Sequence, residues 1–364
     1  MASSIPLIDE HGYAAFMDGT VLPALDHCRQ EGWMPAAGDR GLGIPPATGR
    51  LHYVCFDAAR FDELDVSGAS ARFRGAVVIS HGFTEFIEKY AELIWYLLMD
   101  GYSVCMPEHR GHGYSARDVD DPSLVWIDDW RRYVADLVRF SQDVGQRYAD
   151  SRPLNLFSHS MGGGIGAAVI ERYPTLFDKA VLSSPMIVPS AGMPTWLARA
   201  AVSAADVLGF GKSRIAGQGE FSPVFDMEGN EGASEERLRW YHARRCADVH
   251  FQTYAPTYGW MRQMLAMSRA VLRQKACDGI ETPMLLLQAG RDVWVRNDAE
   301  NRFARQVRLG GGDIRMERFA DSVHMIFSMP NTVMRTYVDD VLTFLDTPSV
   351  QIIGSDEWSE VSRR

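Results

Sequence analysis

The sequence is poor in cysteine and lysine, and it has no long uninterrupted apolar run. Its 364 residues include five scattered cysteines, none in a C-x-x-C pair, and only four lysines. Scattered cysteines argue against a disulfide framework and favour buried thiols in a reducing compartment. Without roughly 20 consecutive apolar residues, a membrane-spanning helix is not expected. The scarcity of lysine we attribute mainly to coding bias.

Positive charge is also scarce. The formal net charge is −10 and the pI is about 5.5, and no run rich in lysine or arginine offsets this. These values argue against nucleic acid as a partner. The first 17 residues carry acids and lack the basic and apolar regions of a secretory signal. We therefore expect a cytoplasmic protein that contacts membranes at most peripherally.

Short apolar runs alternate with helical patterns along most of the chain. This alternation predicts an α/β fold, with a mostly parallel central sheet and helices on both faces. The predicted strands are 51–56, 76–80, 102–106, 154–157, 180–183, 284–288 and 314–318. The predicted helices are 89–99, 128–148, 162–173, 298–307 and 331–345.

Breaks in this alternation indicate the domain organisation. Residues 1–50 are predicted to form an N-terminal arm, with a helix at 11–30 that Pro23 interrupts and a Gly/Pro-rich stretch after it. The predicted α/β core comprises 51–185 and 277–347. Between its two parts, 186–276 lacks a convincing buried strand and is predicted to be an inserted, mainly helical cap. The polar stretch 348–364 is predicted to be a flexible tail.

A serine in a run of small residues gives the strongest local signal. Ser160 lies in S-H-S-M-G at 158–162, after an apolar stretch and before a helical pattern. This approximates G-x-S-x-G, in which a sharp strand-to-helix turn presents a serine hydroxyl. Ser158 replaces the first glycine, but serine is small enough for the turn. Ser160 is thus a candidate nucleophile; a glycine-rich packing turn with an incidental serine is the alternative.

A serine nucleophile needs a base, and the base needs a carboxylate to orient it. In an open α/β sheet these groups lie beyond the carboxyl ends of the strands. Asp292 directly follows the predicted strand 284–288, and His324 lies in the loop after 314–318. Both follow Ser160 in the order serine, acid, histidine. Other candidate acids, which do not directly follow a strand, are Asp298, Asp313 and Asp321.

His159, next to the serine, is a tempting base. Adjacent side chains diverge at a sharp turn, so we assign it a neighbouring or packing role. The oxyanion of an acyl transfer needs two donors. The backbone N–H groups of Met161, directly after the nucleophile, and of Phe83, in the H-G-F-T loop after the strand 76–80, are the candidates.

The cap is rich in aromatic residues and methionine, which suit a channel for an acyl chain. Trp196, Trp240 and Tyr258 are candidate substrate-binding residues, although core packing is the alternative for most cap aromatics. The stretch 193–210 has apolar residues at helical spacing. It is predicted to pack against the core, with contact with a membrane or micelle surface as the alternative. One cluster of arginines forms either a solvated, ion-paired face or a phosphate site: Arg237, Arg239, Arg244 and Arg245.

Several stretches together resemble one branch of the α/β-hydrolase family, which holds bacterial lysophospholipases and monoacylglycerol lipases and is related to the serine aminopeptidases. They are VVISHGFTEFIEKYAELIWYLL, PEHRGHGYSAR, FSHSMGGG, LLLQAGRDVWV and HMIF, and the resemblance covers roughly residues 75–345. It implies Ser160 as nucleophile, Asp292 as acid, His324 as base, and Phe83 and Met161 as oxyanion donors. Ser158 and Glu108 depart from the family pattern, in which glycine and aspartate are usual. These departures bear on substrate preference more than on chemistry.

The residues and the resemblance predict a serine hydrolase, without a cofactor or metal, that cleaves the acyl ester of a lysophospholipid. A monoacylglycerol lipase or a general carboxylesterase is the nearest alternative. An aminopeptidase is more distant and would need a cap carboxylate to bind an amine. The candidates for that carboxylate are Glu228, Glu231, Glu235 and Glu236. A non-catalytic ligand receptor on the same fold is the alternative from another class.

Overall fold

The computed structural model describes residues 5–38, 41, 43–45 and 48–347. Its main sheet has eight strands in the order β1-β2-β4-β3-β6-β7-β9-β10. β1 and β2 are antiparallel to their neighbours, and the other neighbouring pairs are parallel. The strands are β1 Arg29–Pro35, β2 Arg50–Phe56, β3 Gly75–Ser80, β4 Tyr102–Pro107, β5 Leu124–Val125, β6 Leu154–His159, β7 Lys179–Ser183, β8 Ala255–Pro256, β9 Met284–Ala289 and β10 Ile314–Phe319.

Helices cover the sheet and form most of the inserted region. They are α1 Tyr13–Phe16, α2 Leu22–Cys28, α3 Ala58–Asp62, α4 Ala91–Met99, α5 Arg131–Phe140, α6 Gln146–Ala149, α7 Met161–Ile170, α8 Thr195–Ala205, α9 Glu235–Ala247, α10 Tyr258–Val271, α11 Gln274–Cys277, α12 Asn297–Leu309 and α13 Asn331–Asp346. Wider helical turns join α1 to α2 (Met17–Val21), join α5 to α6 (Ser141–Gly145) and extend α8 (Asp206–Phe210). Tight 3₁₀ turns occupy Ile87–Tyr90, Val249–Phe251 and Ile326–Ser328. Among the described residues, no helix has the length and apolarity needed to cross a bilayer.

The central strands are buried on both faces, which explains their continuous apolar sequences. In β3, Val77 and Ile79 pack into the layer that contains α4 and α13. Ala76 and Val78, at the alternate positions, pack into the layer that contains α5, α7 and α12. Burial of both faces makes the sheet a rigid platform for the loops at its edge.

All seven predicted strands and all five predicted helices are present, with small shifts at their ends. The predicted arrangement of a mostly parallel sheet between helical layers is thus confirmed. Three strands were not predicted. β1 is a partly exposed edge strand, whereas β5 and β8 have two residues each and form a separate parallel pair.

The N-terminal region differs from its prediction in two ways. Helical structure ends at Cys28, and Pro23 does not interrupt it. Pro23 is the second residue after the wider helical turn Met17–Val21, where the backbone hydrogen bonds already depart from the α-helical pattern. Residues 29–35 then leave the arm and form β1 of the sheet. The expected cap segment carries α8 to α11 and contacts the core through the β5–β8 pair. The predicted flexible tail lies outside the described residues, and the proposed domain bounds stay a prediction.

Candidate active site

Ser160 lies at the junction of β6 and α7 with φ = 52° and ψ = −119°. This backbone conformation is rare for a residue with a side chain and is sustained only by its surroundings. Two glycines make room for it. A Cβ on Gly162 would lie 2.0 Å from the backbone oxygen of Ser80, and one on Gly163 would lie 2.6 Å from Cα of Pro185. The run of small residues is therefore a steric requirement of the turn.

Ser158 fits the position where the pattern has glycine, because its side chain has space and a partner. Its hydroxyl donates to the backbone oxygen of Val181 at 3.2 Å. It points toward Gly166 of α7, where a Cβ would lie 3.0 Å from the Ser158 oxygen. The extra hydroxyl is thus accommodated below the helix, away from the face that carries the Ser160 hydroxyl.

The structure brings Ser160, His324 and Asp292 into one hydrogen-bonded chain. Oγ of Ser160 lies 2.8 Å from Nε2 of His324, and Nδ1 of His324 lies 2.6 Å from Oδ2 of Asp292. When Nδ1–H donates to the carboxylate, Nε2 is left to accept the serine proton. The Asp292 side chain is 1% exposed and that of His324 is 15% exposed. The carboxylate is thus shielded, while the imidazole keeps an opening to the surface.

The three side chains meet because each follows the carboxyl end of a parallel strand, as predicted from the sequence. Ser160 follows β6, Asp292 follows β9 and His324 follows β10. Oδ1 of Asp292 accepts the backbone N–H groups of Trp294 at 2.8 Å and Val295 at 3.0 Å. These bonds fix the carboxylate so that its other oxygen faces His324.

The two predicted oxyanion donors lie at the start of α7 and in the loop after β3. Met161 is the first residue of α7, so its N–H is among the first-turn donors that have no acceptor within the helix. Phe83 lies in the loop after β3, and its ring packs on Trp260 with centroids 4.2 Å apart. Trp260 belongs to α10, so the cap supports this loop from above. The role of both N–H groups stays a prediction.

Buried histidines fix the loop that carries Phe83. Nε2 of His81 accepts the backbone N–H of His109 at 2.9 Å, and Nδ1 of His81 donates to the backbone oxygen of Gly82 at 2.7 Å. Burial lowers the pKa of His81, and it lowers the pKa values of His109 and His112 strongly. These rings are therefore neutral at pH 7 and act as fixed hydrogen-bonding and packing groups.

A buried carboxylate that the sequence motifs do not identify, Glu85, lies below the site. It accepts the backbone N–H of Gly82 at 2.6 Å and forms short contacts with Lys89 Nζ and the Tyr90 hydroxyl. Nδ1 of His159 lies 3.2 and 3.3 Å from its two oxygens. Burial alone would raise the pKa of Glu85, but the charge of Lys89 holds that pKa well below its usual value.

Glu85 thus carries a buried negative charge that ties the Phe83 loop to His159. The sequence contains one signal for it: an acid three residues after the H-G pair, followed four residues later by a lysine. That spacing is typical of ion pairs on one face of a helix.

The three candidate substrate-binding residues lie in different environments. The Trp196 side chain on α8 is 71% exposed. Trp240 is buried, and its indole N–H donates to Asp18 at 2.9 Å. The hydroxyl of Tyr258 accepts the backbone N–H of Ala216 at 3.1 Å. None of these contacts, among the described residues, reaches the Ser160 hydroxyl, and their part in substrate binding stays a prediction.

All four arginines of the predicted cap cluster already have protein partners. Arg237 is buried and forms two 2.8 Å bonds with Glu92, and Arg245 is buried against the backbone oxygens of Phe251 and Thr253. Arg244 binds Glu88 at 2.5 Å, and the exposed Arg239 binds Glu235. The solvated, ion-paired interpretation therefore describes Arg239, whereas Arg237 and Arg245 are structural.

Solved structures share this architecture. A soluble variant of monoglyceride lipase from Saccharomyces cerevisiae aligns with a TM-score of 0.63 at 19% identity, covering 84% of this chain and 94% of its own. A carboxyl esterase from Bacillus coagulans aligns with a TM-score of 0.64 at 14% identity, covering 87% and 98%. At these identities the likeness concerns the fold alone. The chain has the α/β-hydrolase fold.

Sequence comparison gives the family. The model of the family described as serine aminopeptidase, S33, matches residues 71–331. Lysophospholipase L2 of Escherichia coli is 31% identical over 263 residues, which are 70% of this chain and 76% of that protein. A monoacylglycerol lipase of Mycolicibacterium smegmatis is 24% identical over 272 residues, or 75% and 88% of the two chains. The chain belongs to the serine aminopeptidase, S33, family of hydrolases, as its motifs predict.

Proposed function

We propose that this chain is a serine hydrolase that cleaves the acyl ester of a single-chain lipid, with a lysophospholipid as substrate. The observation that carries the proposal is the 2.8 Å contact between the Ser160 hydroxyl and Nε2 of His324, on a turn whose backbone is held in a strained conformation. Such a contact, backed by Asp292, is what makes a serine hydroxyl nucleophilic at neutral pH.

The proposed reaction has two acyl-transfer steps. Oγ of Ser160 bonds to the ester carbonyl carbon as its proton passes to Nε2 of His324, and the N–H groups of Phe83 and Met161 stabilise the oxyanion. The carbon–oxygen bond of the ester then breaks, and the departing alcohol takes the proton from His324. Water attacks the acyl-enzyme with His324 as base, releasing the fatty acid and restoring the Ser160 hydroxyl. Asp292 stabilises the imidazolium in both steps.

The substrate class rests on the relatives. The protein of E. coli that is 31% identical is called lysophospholipase L2, and the 24% identical protein of M. smegmatis is called monoacylglycerol lipase. Both names describe enzymes for esters with a single acyl chain, and the higher identity favours the lysophospholipid. Monoacylglycerol is the second candidate, because that relative matches over 88% of its own length.

We further propose that α8 and its extension contact a lipid surface from the cytoplasmic side. Large apolar side chains there and just before α8 are exposed: Met193, Trp196, Leu197, Val207, Leu208 and Phe210. A surface of this kind is expected to bind at the interface of a membrane or micelle. Such contact would deliver single-chain lipids to the site without a spanning segment.

One experiment tests the chemistry and the substrate together. Fatty-acid release from lysophosphatidylcholine and from monoacylglycerol is measured in parallel for wild type, Ser160→Ala and the control Ser222→Ala, which alters an exposed cap serine. We expect release from lysophosphatidylcholine to exceed that from monoacylglycerol, and Ser160→Ala alone to abolish both. Faster release from monoacylglycerol would contradict the lysophospholipid as substrate and would leave the serine hydrolase mechanism supported.

Covalent labelling separates the enzyme from other classes. A fluorophosphonate should label wild type and Ser222→Ala, and it should not label Ser160→Ala. Failure to label folded wild-type protein would contradict the serine hydrolase mechanism. Hydrolysis of an aminoacyl amide in preference to both esters would instead favour a peptidase.

A further inference from the structure

A groove lined by arginines lies between α8, the end of α10 and the start of α12. It encloses about 480 Å³, and five arginines from three parts of the chain line it. Arg199 comes from α8, Arg269 and Arg273 from the end of α10, and Arg296 and Arg302 from the start of α12. We call this cavity the arginine groove. It is separate from the cap cluster of Arg237 to Arg245 on α9.

The positive charge of the arginine groove is largely uncompensated. Arg296 binds Asp298 through two bonds of 2.6 and 2.9 Å and also donates to Thr195. Within the described part of the chain, the other four arginines have no carboxylate oxygen within 4.0 Å. Five arginines and one aspartate give the lining a formal charge of +4 in a chain whose net charge is −10.

Two of these arginines influence each other directly. Partial burial and the positive charge of Arg269 both lower the pKa of Arg199. Nε of Arg199 is buried and has no hydrogen-bond partner among the described residues. Repulsion between these like charges costs free energy, and a buried N–H without an acceptor adds to that cost. An anion between α8 and α10 would relieve both.

The chemistry and the volume of the arginine groove favour phosphate as its ligand. Guanidinium groups offer paired N–H donors that match the oxygens of a phosphate, and several of them can share one group. The apolar side chains of Val188, Leu265 and Leu272 also line the cavity. Its volume lies within the range of small-molecule sites, roughly 300–1,000 Å³. We propose that the arginine groove is a binding site for a phosphate group, carried by a lipid head group or present as the free anion.

The test compares two pairs of substitutions that remove equal charge. The groove variant is Arg269→Gln with Arg273→Gln, both exposed on the groove. The control is Arg139→Gln with Arg239→Gln, exposed helical arginines that pair with Asp143 and Glu235 elsewhere. Circular dichroism and the melting temperature in chloride establish that each variant folds. The test measures binding of inorganic phosphate and of anionic vesicles, so its result is independent of whether Ser160 hydrolyses a lipid.

One probe is inorganic phosphate at constant ionic strength, read as the rise in melting temperature. The other is cosedimentation with phosphatidylcholine vesicles that contain phosphatidylglycerol, compared with phosphatidylcholine alone. For the wild type and the control we expect binding. For the groove variant we expect affinity to fall about tenfold or more, since each lost guanidinium removes a charge-assisted hydrogen bond.

Each outcome decides the proposal. Loss of phosphate binding alone in the groove variant supports a free anion as the source, and loss of binding to anionic vesicles supports a lipid head group. If the groove variant and the control lose equal affinity for both probes, the binding is general electrostatics and the site does not exist. Absence of wild-type binding to either probe overturns the proposal as well.

Discussion

The ring of His159 lies beside the ring of His324, with centroids 4.9 Å apart and planes inclined by 47°. His159 is fully enclosed, and burial lowers its pKa although Glu85 opposes this effect. Its Nε2 has no hydrogen-bond partner among the described residues. The neighbour of the proposed base is therefore an uncharged ring, which does not repel the imidazolium that His324 becomes during acyl transfer.

Replacing Glu85 with glutamine should destabilise the protein strongly. The change leaves the Lys89 ammonium, whose side chain is 9% exposed, without its counter-charge. Breaking a buried ion pair by removing one partner typically costs about 3–5 kcal/mol. Urea unfolding at pH 7 measures this loss. Glu235→Gln, which breaks an exposed pair, is the control and should cost less than about 1 kcal/mol.

Ionisation of the Glu85 carboxylate should make the free energy of unfolding depend on pH. The pKa of Glu85 is depressed in the folded state, so its stabilisation is complete above the unfolded value of about 4.3 and is lost as the pH falls through the folded value. Wild type should therefore lose more stability than Glu85→Gln when the pH is lowered below about 4. Equal acid sensitivity of the two proteins would show that Glu85 is not ionised in the fold.

Glu300 should show the opposite pH dependence. It is fully buried in α12, its Oε2 accepts from Gln288 at 2.7 Å, and Oε1 has no partner among the described residues. Burial raises the pKa of Glu300 to about 8, with a further contribution from the charge of Asp292. Between its unfolded pKa of about 4.3 and this value the folded state keeps a proton that the unfolded state has lost, so wild-type stability falls as the pH rises.

Glu300→Gln should remove that slope. We expect the free energy of unfolding of the variant, relative to wild type, to increase by about 1–3 kcal/mol between pH 5 and pH 8. The comparison across pH is the measurement, because the amide also changes the local hydrogen bonds at every pH. Glu281→Gln, at an exposed position, should leave the slope unchanged.

The contact between Ser158 and Gly166 predicts a coupling between two substitutions. Ser158→Gly removes a buried hydrogen bond and should cost about 1–2 kcal/mol, while kcat/KM changes less than about threefold because Ser160 keeps its backbone conformation. Gly166→Ala should cost about 1–3 kcal/mol by overpacking, since its Cβ would lie 3.0 Å from Ser158 and Leu156. The double variant should recover about 1 kcal/mol, and strict additivity in urea unfolding would contradict this packing.

Arg237 should be essential for the position of the cap. It binds Glu92 through two bonds of 2.8 Å, the backbone oxygen of Met329 at 3.1 Å and Asn331 at 2.7 Å. Arg237→Met should cost about 3–5 kcal/mol, because Glu92 stays buried without its cation. Arg239→Met on the same helix loses only an exposed pair and should cost less than about 1 kcal/mol. Equal effects in thermal or urea unfolding would contradict the structural role of Arg237.

The sequence predicts the central sheet and the three side chains at its edge because both depend on strong local patterns. Strands such as 284–288 are continuous apolar runs, and Asp292 and His324 follow two of them directly. The sequence pattern does not predict β1, because this partly exposed edge strand has neither an apolar run nor a clear alternation of apolar and polar residues. β5 and β8 are too short for any periodicity to appear.

The environment of individual side chains is less predictable, because it depends on contacts distant in the chain. Arg237 and Arg239 lie on the same helix two residues apart, but one is buried against Glu92 and the other is exposed. The arginine groove brings together arginines between positions 199 and 302, and no short stretch of the sequence contains them all. Likewise, the 71% exposure of Trp196 follows from what α8 packs against, not from its composition.

The neighbours β7 and β9 are joined by the entire cap. Ala180 pairs with Met284, so this central ladder closes a loop of about 100 residues. Closing such a loop costs chain entropy before any pairing energy is gained, which slows the growth of the sheet on this side. A cap that has already folded shortens the effective loop. Pro189 at the start of the cap also pairs with Val295 in the loop after β9, which holds this end of the cap against the core. The refolding rate of the sheet therefore depends on how fast the cap folds. Substitutions that destabilise α8 or α10 should slow the refolding of the core.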